Sequence, residues 1–254
     1  MPEQSSNFSF FFDGPRPVAL ASLNFPSSLR IVVLAPHPDD FEAIAITMRW
    51  FYVRGHRIDV AVLTTGASGV ENGYRGAVSN AAKRDIRESE QRASCRLFGL
   101  PEDRLTFLRL IEDDTGHMVY TAANRECLTA FLLARQPDVA FLPQGNDTNP
   151  DHQRTAVFLR EIAGTRREPL VGCFNRDPKT GAMRTDLITG FGEEDAAWKG
   201  GLLRCHDSQH QRNLNTRGHG FDERVLRVNR QIAAELGGAW PYAECFEVER
   251  LGGI

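Results

Sequence analysis

The run LRIVVLAPHPDD, residues 29–40, changes character at a single point. Leu29–Ala35 is almost wholly apolar and rich in β-branched residues, so it reads as a buried strand. Pro36-His37-Pro38-Asp39-Asp40 then packs an imidazole and a pair of carboxylates into one proline-stiffened turn. Two readings of this turn compete. Asp39 or Asp40 can cap a helix that starts near Phe41. Alternatively, the turn can supply metal ligands or catalytic groups, since histidine with carboxylate is a common zinc ligand pair. A histidine placed just before two acids favours the second reading.

Outward from this run, short β-rich segments alternate with helical ones. Residues 57–64 read as a second strand, 104–110 as a third and 138–143 as a fourth. Residues 41–54, 81–98, 124–135 and 152–163 read as helices, with Gly66 to Asn80 a loop. This rhythm predicts an α/β fold: a Rossmann-like, doubly wound, mainly parallel sheet with helices on both faces. Beyond Thr165 the pattern weakens into a C-terminal α/β extension. There, 170–175 and 244–251 read as strands, and 196–204 and 223–236 as helices. We expect one domain, with a core over about 29–165 and the extension over about 166–254. Ser9–Phe12 is expected to pack as a leading edge strand.

Strand four runs into Gln144-Gly145-Asn146-Asp147-Thr148-Asn149-Pro150-Asp151-His152. In the common strand order 3-2-1-4-5, strands one and four are neighbours at the switch point where ligands bind. Their loops then face each other, and His37 meets His152. A catalytic zinc usually takes three protein ligands and an open position. His37, Asp40 and His152 can supply the three, leaving Asp39 uncoordinated as a base. Alone, His152 reads as a solvated residue at a helix start; paired with the first loop it reads as a ligand. Nucleotide binding is disfavoured, because the first βα turn carries neither a dinucleotide-binding nor a P-loop glycine pattern.

These residues resemble the PIG-L/LmbE-like zinc N-deacetylases, a family that acts on N-acetylglucosaminyl compounds. The family's A-H-P-D-D-E is similar to Ala35-Pro36-His37-Pro38-Asp39-Asp40-Phe41-Glu42, and its H-P-D-H to Asn149-Pro150-Asp151-His152. Arg87 and Glu90 match its R-x-x-E helix. His206-Asp207-Ser208-Gln209 and Tyr242-Ala243-Glu244-Cys245-Phe246 resemble its C-terminal elements. The resemblance spans about Arg30 to Val248. It implies His37, Asp40 and His152 as ligands of one Zn2+ per chain, and Asp39 as general base. It implies Arg87, Asn149, Asp151 and His206 as substrate-binding or transition-state support, to which the polar loop 112–117 adds Asp114 as a candidate of its own. The substrate it implies is a small N-acetylated molecule, and some members of the family assemble as homo-oligomers. Two departures stand out: Phe41 replaces a glutamate that Glu42 then supplies, and Asn149 replaces a histidine. Asn149 can donate a neutral hydrogen bond but cannot deliver a proton as imidazolium does.

Two other readings keep the same fold: a metal-dependent amidase or esterase on a non-sugar substrate, and a non-catalytic metal-binding module. His117 and Asp114 sit in a polar loop that either shapes the pocket or is a solvated turn. Arg204, Arg212, Arg217 and Arg224 either line the substrate mouth or form a solvated or oligomer-contact surface, and His210 and His219 are assigned to that surface. His56 and Trp50 read as structural.

The composition is that of an ordinary globular protein, with 41% hydrophobic and 25% charged residues in a chain of 254. A net charge of -3 argues against a nucleic-acid partner. The five cysteines are scattered and odd in number, which disfavours a disulfide framework and points to buried thiols in a reducing cytoplasm. No membrane partner is expected, because no apolar run approaches the roughly 20 residues a span needs. Met1–Phe12 lacks the pattern of a signal peptide.

Overall fold

The computed structural model describes residues 8–25 and 28–253. Most of Met1–Phe12, the stretch without a signal-peptide pattern, lies outside them. The strands are β1 (Val18–Ala19), β2 (Arg30–Ala35), β3 (Arg57–Val62), β4 (Leu105–Phe107), β5 (Val139–Pro143), β6 (Leu170–Asn175), β7 (Leu187–Phe191) and β8 (Tyr242–Leu251). The helices are α1 (Ala45–Tyr52), α2 (Asn80–Phe98), α3 (Ala122–Arg135), α4 (Pro150–Gly164), α5 (Glu193–Arg204), α6 (Asp207–Arg217) and α7 (Phe221–Glu235).

All eight strands join one sheet in the order β1-β7-β8-β6-β5-β2-β3-β4. The five strands of the core therefore follow the expected 3-2-1-4-5 order, with β2 and β5 adjacent and parallel. Alternate residues of β2 enter different cores. Ile31, Val33 and Ala35 pack with Phe51 and Phe141, while Val32 and Leu34 pack with Leu142 and Phe158. Burial on both faces explains why β2 reads as an unbroken apolar run. Helix starts are capped as their sequences allow. Ser79 accepts from the Ala82 N–H, and Thr121 from the Asn124 N–H.

The extension adds strands of mixed direction. β8 lies antiparallel between β6 and β7, and β1 pairs parallel with β7. β7 is short and contains Gly190, where a Cβ would come within 2.1 Å of the Trp240 ring. Ser9–Phe11 forms a 3-10 turn, not an edge strand, and buries Phe11; the edge is β1. The third strand is shorter than expected, and Arg109 just beyond it adopts φ 47°. The long first helix begins as a 3-10 turn over Glu42–Ile44 before α1 proper. The five cysteines are unpaired, and Cys127 is exposed where buried thiols were expected. No helix among the described residues is long and apolar enough to cross a membrane.

One buried ion pair ties the extension to the core. Glu244 on β8 accepts from the Ile46 and Thr47 backbone N–H groups at 3.1 and 2.8 Å, at the start of α1. Lys199 Nζ on α5 lies 2.7 Å from Glu244 Oε1 and also donates to the Ala43 carbonyl at 2.6 Å. Lys199 is fully buried and Glu244 is 2% exposed. Burial holds the Lys199 pKa below the usual lysine range, against the pull of Glu244. Removing one partner from such a pair typically costs about 3–5 kcal/mol. Glu244 would keep its backbone donors, so Lys199→Met should cost about 3 kcal/mol, the lower end of that range. A urea titration should show the midpoint falling with its slope unchanged; an unmoved midpoint would show that α1 does not depend on this pair.

Candidate metal centre and active-site cavity

The loops after β2 and β5 leave the sheet side by side at its carboxyl edge. His37 closes its own turn, its backbone N–H donating to Asp40 Oδ2 at 2.7 Å. The His37 ring places Nδ1 3.2 Å from Asp40 Oδ2 and Nε2 3.0 Å from Asp151 Oδ2. His152 places Nε2 3.6 Å from Asp40 Oδ1 and Nδ1 3.1 Å from Asp147 Oδ2. Each imidazole is thus pinned by an outer carboxylate on one nitrogen and turns the other towards Asp40. His37, Asp40 and His152 each offer a ligand atom, all within 4.8 Å of one another.

The electrostatics favour a cation. Burial alone would lower the His37 pKa, but its bonds to Asp151 and Asp40 raise it to about 9. Burial likewise opposes protonation of His152, and Asp40 and Asp147 raise its pKa well above the usual value. Against burial, the histidines hold Asp40, Asp147 and Asp151 below the usual carboxylate range. The nest binds positive charge, and a divalent ion can replace the protons on the inner nitrogens. A carboxylate on the far nitrogen is how metal-bound histidines are usually oriented. The donor set therefore fits zinc.

Asp39 sits beside this set in a strained backbone, with φ 116°. Helix α2 holds it there. Gln91 Oε1 accepts from the Asp39 N–H at 2.9 Å, and Arg87 donates to Asp39 Oδ2 at 2.8 Å and to the Pro38 carbonyl. Arg87 is only 2% exposed. Gly66 lets the β3 loop approach, since a Cβ there would come within 2.8 Å of the Pro38 ring and 3.2 Å of Arg87 Nε. Behind α2, Ser208 donates through both N–H and hydroxyl to Glu90 at 2.7 Å. His206 Nε2 lies 3.2 Å from Glu42 Oε2, with both residues fully buried. Gln91 donates to the other Glu42 oxygen at 2.8 Å. Phe41 is buried and packs edge-on against Phe98 at 5.0 Å.

A cavity of about 500 Å³ opens over these groups. His37, Asp39, Asp40, Arg87, Asn149 and His152 all line it. Asn149 also caps α4, its side-chain oxygen accepting from the Asp151 N–H at 3.0 Å. Its amide nitrogen is the atom left for a ligand. Three residues expected near the substrate lie outside the lining. Asp151 is fully buried, accepting from the Met118 N–H at 2.8 Å and lying 2.8 Å from His117 Nδ1. His206 is buried behind α2, and Asp114 is exposed on its turn. His117, from the same turn as Asp114, lines the cavity. Arg212, Arg217 and Arg224 line it too, whereas Arg204 pairs with Asp222 at 2.6 Å. Sequence reasoning passed over Asp147, Gln91 and Lys179. Asp147 carried one legible signal, a carboxylate five residues before His152 in a strand-end loop.

A family model described as PIG-L, GlcNAc-PI de-N-acetylase, matches residues 32–163, more than half of the chain. No curated protein matches the sequence. Among solved structures, the chain is similar to N,N'-diacetylchitobiose deacetylase from Pyrococcus horikoshii, complexed with its inhibitor MPG. That match has a TM-score of 0.70 at 18% identity, over 86% of this chain and 83% of that one. The conserved protein TT1542 from Thermus thermophilus aligns with a TM-score of 0.63 at 23% identity, over 86% and 93%. GalB, the 4-carboxy-2-hydroxymuconate hydratase from Pseudomonas putida, aligns with a TM-score of 0.65 at 17% identity, over 87% and 96%. At these identities the likeness is one of fold.

The two outer carboxylates lead to a direct test. Losing such a partner typically weakens metal binding about 10- to 100-fold. Asp147→Asn and Asp151→Asn should each do so in a competition titration against a chromophoric chelator. Asp114→Asn, on its exposed turn, should bind metal like the parent. Equal affinity in all three variants would show that the outer carboxylates do not orient the histidines.

Proposed function

The chain belongs to the PIG-L family, and on that premise we propose that it hydrolyses the acetamide of an N-acetylated amino sugar or a related small amide, with one zinc ion per chain. The observation that carries this reading is the convergence of His37, Asp40 and His152, with Asp39 held beside them by Arg87.

His37, Asp40 and His152 would hold the ion. When bound, it supplies a Lewis acid that makes water nucleophilic at neutral pH. Asp39 takes the proton of the attacking water as the new C–O bond forms. It then returns that proton to the nitrogen as the C–N bond breaks, releasing acetate and a free amine. Arg87 fixes the Asp39 carboxylate through its 2.8 Å bond and anchors the strained turn at the Pro38 carbonyl. The Asn149 amide nitrogen donates to the oxygen that gains charge at the tetrahedral stage.

Two readings from other classes remain alternatives. A non-sugar amide or ester would use the same groups, so a panel of acetylated substrates separates it from the sugar reading. A pure binding module would have no use for an uncoordinated carboxylate held next to the ligands. Because a hydratase shares the fold, acetate release has to decide the reaction.

Acetate release from N-acetylglucosamine conjugates, measured with zinc content, tests the proposal. The parent should carry about one zinc per chain and lose activity to chelator. A positioned base contributes about 10²- to 10⁴-fold, so Asp39→Asn should keep its zinc and lose turnover by that factor. His152→Ala should lose the zinc itself. Near-parental turnover in Asp39→Asn would remove Asp39 from the base role, and bound zinc without amide hydrolysis would return the chain to the binding reading.

A further inference from the structure

The cavity has two electrical ends. Its inner end holds Asp39 and Asp40 beside the imidazoles. Its outer end is lined by Lys179 from the loop after β6, Arg212 and Arg217 on α6, and Arg224 on α7. Lys179, Arg212 and Arg217 are exposed, and Arg224 is half-buried. Among the described residues, none of these four forms an ion pair; the one hydrogen bond from their side chains runs from Arg212 to the Gly69 carbonyl at 3.2 Å. Most arginines elsewhere in the chain behave differently. Arg204 and Arg176, near the same helices, are paired with Asp222 and Glu235.

Only one carboxylate besides Asp39 and Asp40 lines the cavity, Asp177, and its Oδ1 accepts from the Lys179 backbone N–H at 3.0 Å. The whole chain is net negative at -3, so an overall basic composition does not explain this gathering of cations. Burial and the charges of Arg217 and Arg212 hold the Arg224 pKa down, with Asp177 and Asp39 acting against them. Unpaired cations crowded at one rim repel each other, and an anion entering the cavity relieves that repulsion. A guanidinium also matches a carboxylate or phosphate in shape, through paired N–H donors.

We propose that the substrate carries a negatively charged substituent, carboxylate or phosphate, received at the cavity rim by Lys179, Arg212, Arg217 and Arg224. This deepens the deacetylase reading and rests on it only for the bond that is cleaved. The four residues set specificity and take no part in the chemistry. A neutral acetylated sugar would fill the inner end and leave the rim unsatisfied.

The test compares three probes on the zinc-loaded protein: methyl N-acetylglucosaminide, N-acetylglucosamine 1-phosphate, and an N-acetylglucosaminide with a carboxylate-bearing aglycone. Binding is read by calorimetry on the Asp39→Asn variant and acetate release on the parent, so the two proposals fail separately. At least one charged probe should bind roughly tenfold or more tightly than the methyl glycoside, and the stronger of the two names the anion. That preference should shrink as salt rises from about 0.05 to about 0.5 M. In the exposed position, Arg217→Glu should cut the preference roughly tenfold, and Arg217→Lys should retain most of it. Charged probes that bind this way without acetate release would keep the rim site and sink the deacetylase. Acetate release with equal binding of all three probes, or no binding of either charged probe, would overturn the rim proposal.

Discussion

The parallel pairing of β2 with β5 is the constraint on which the site depends. Ile31 lies opposite Val139 and Val33 opposite Phe141, so the two strands finish together at the carboxyl edge. Only that registration brings His37 and His152, far apart in sequence, to ring centroids 5.5 Å apart. The strands are apolar on both faces and sandwiched between two cores, which leaves little freedom to slide. A one-residue slip would turn Ile31 and Val33 into the wrong core and draw the histidines apart. The stability of the sheet and the geometry of the cluster are therefore one property.

A second tier of buried charge fastens the Asp39 turn from behind. Glu42, Glu90 and Glu244 are each buried, and each meets a group from the C-terminal extension: Ser208 and Lys199 hydrogen-bond to Glu90 and Glu244, and His206 lies at ion-pair distance from Glu42. A buried carboxylate without a partner is costly, so each contact helps fix the position of the extension on the core. These contacts suit a turn that must hold Asp39 at φ 116°, a conformation that persists only where its surroundings impose it.

The difference between what was legible and what was not follows from this division of labour. The core strands announce themselves because burial on both faces demands continuous apolar runs, and their order is the common one for a doubly wound sheet. His37, Asp40 and His152 were legible because strand ends in such a sheet are where polar loops converge. Helix α6 was missed because Asp207–Arg217 has no apolar periodicity; Leu214, its one large aliphatic residue, is exposed, and the helix is held by polar contacts. β7 was missed because five residues containing a glycine carry too little pattern, and its fit depends on Trp240, remote in sequence. Asp151 was legible as a site residue, but only coordinates place its carboxylate behind His37, away from the cavity. The outer-nitrogen partner of His37 is set by three-dimensional packing across 114 positions, which residue spacing does not encode.

Asn149 connects the two tiers. Its position at the head of α4 has a structural duty that its side-chain oxygen performs as a cap. A histidine there could not cap in the same way with a ring nitrogen bearing a proton, so the asparagine exchanges acid capacity for a firmer helix start. The cap fixes the Asp151 N–H, Asp151 fixes His37, and His37 faces Asp40. Asn149 thus places a helix cap, and no imidazolium, at this point of the cavity wall. On the proposed deacetylase reading, proton delivery to the leaving amine falls to Asp39, the carboxylate beside His37, Asp40 and His152 that Arg87 and Gln91 hold. That is why the Arg87 and Gln91 contacts to its turn matter more here than they would beside a second acid.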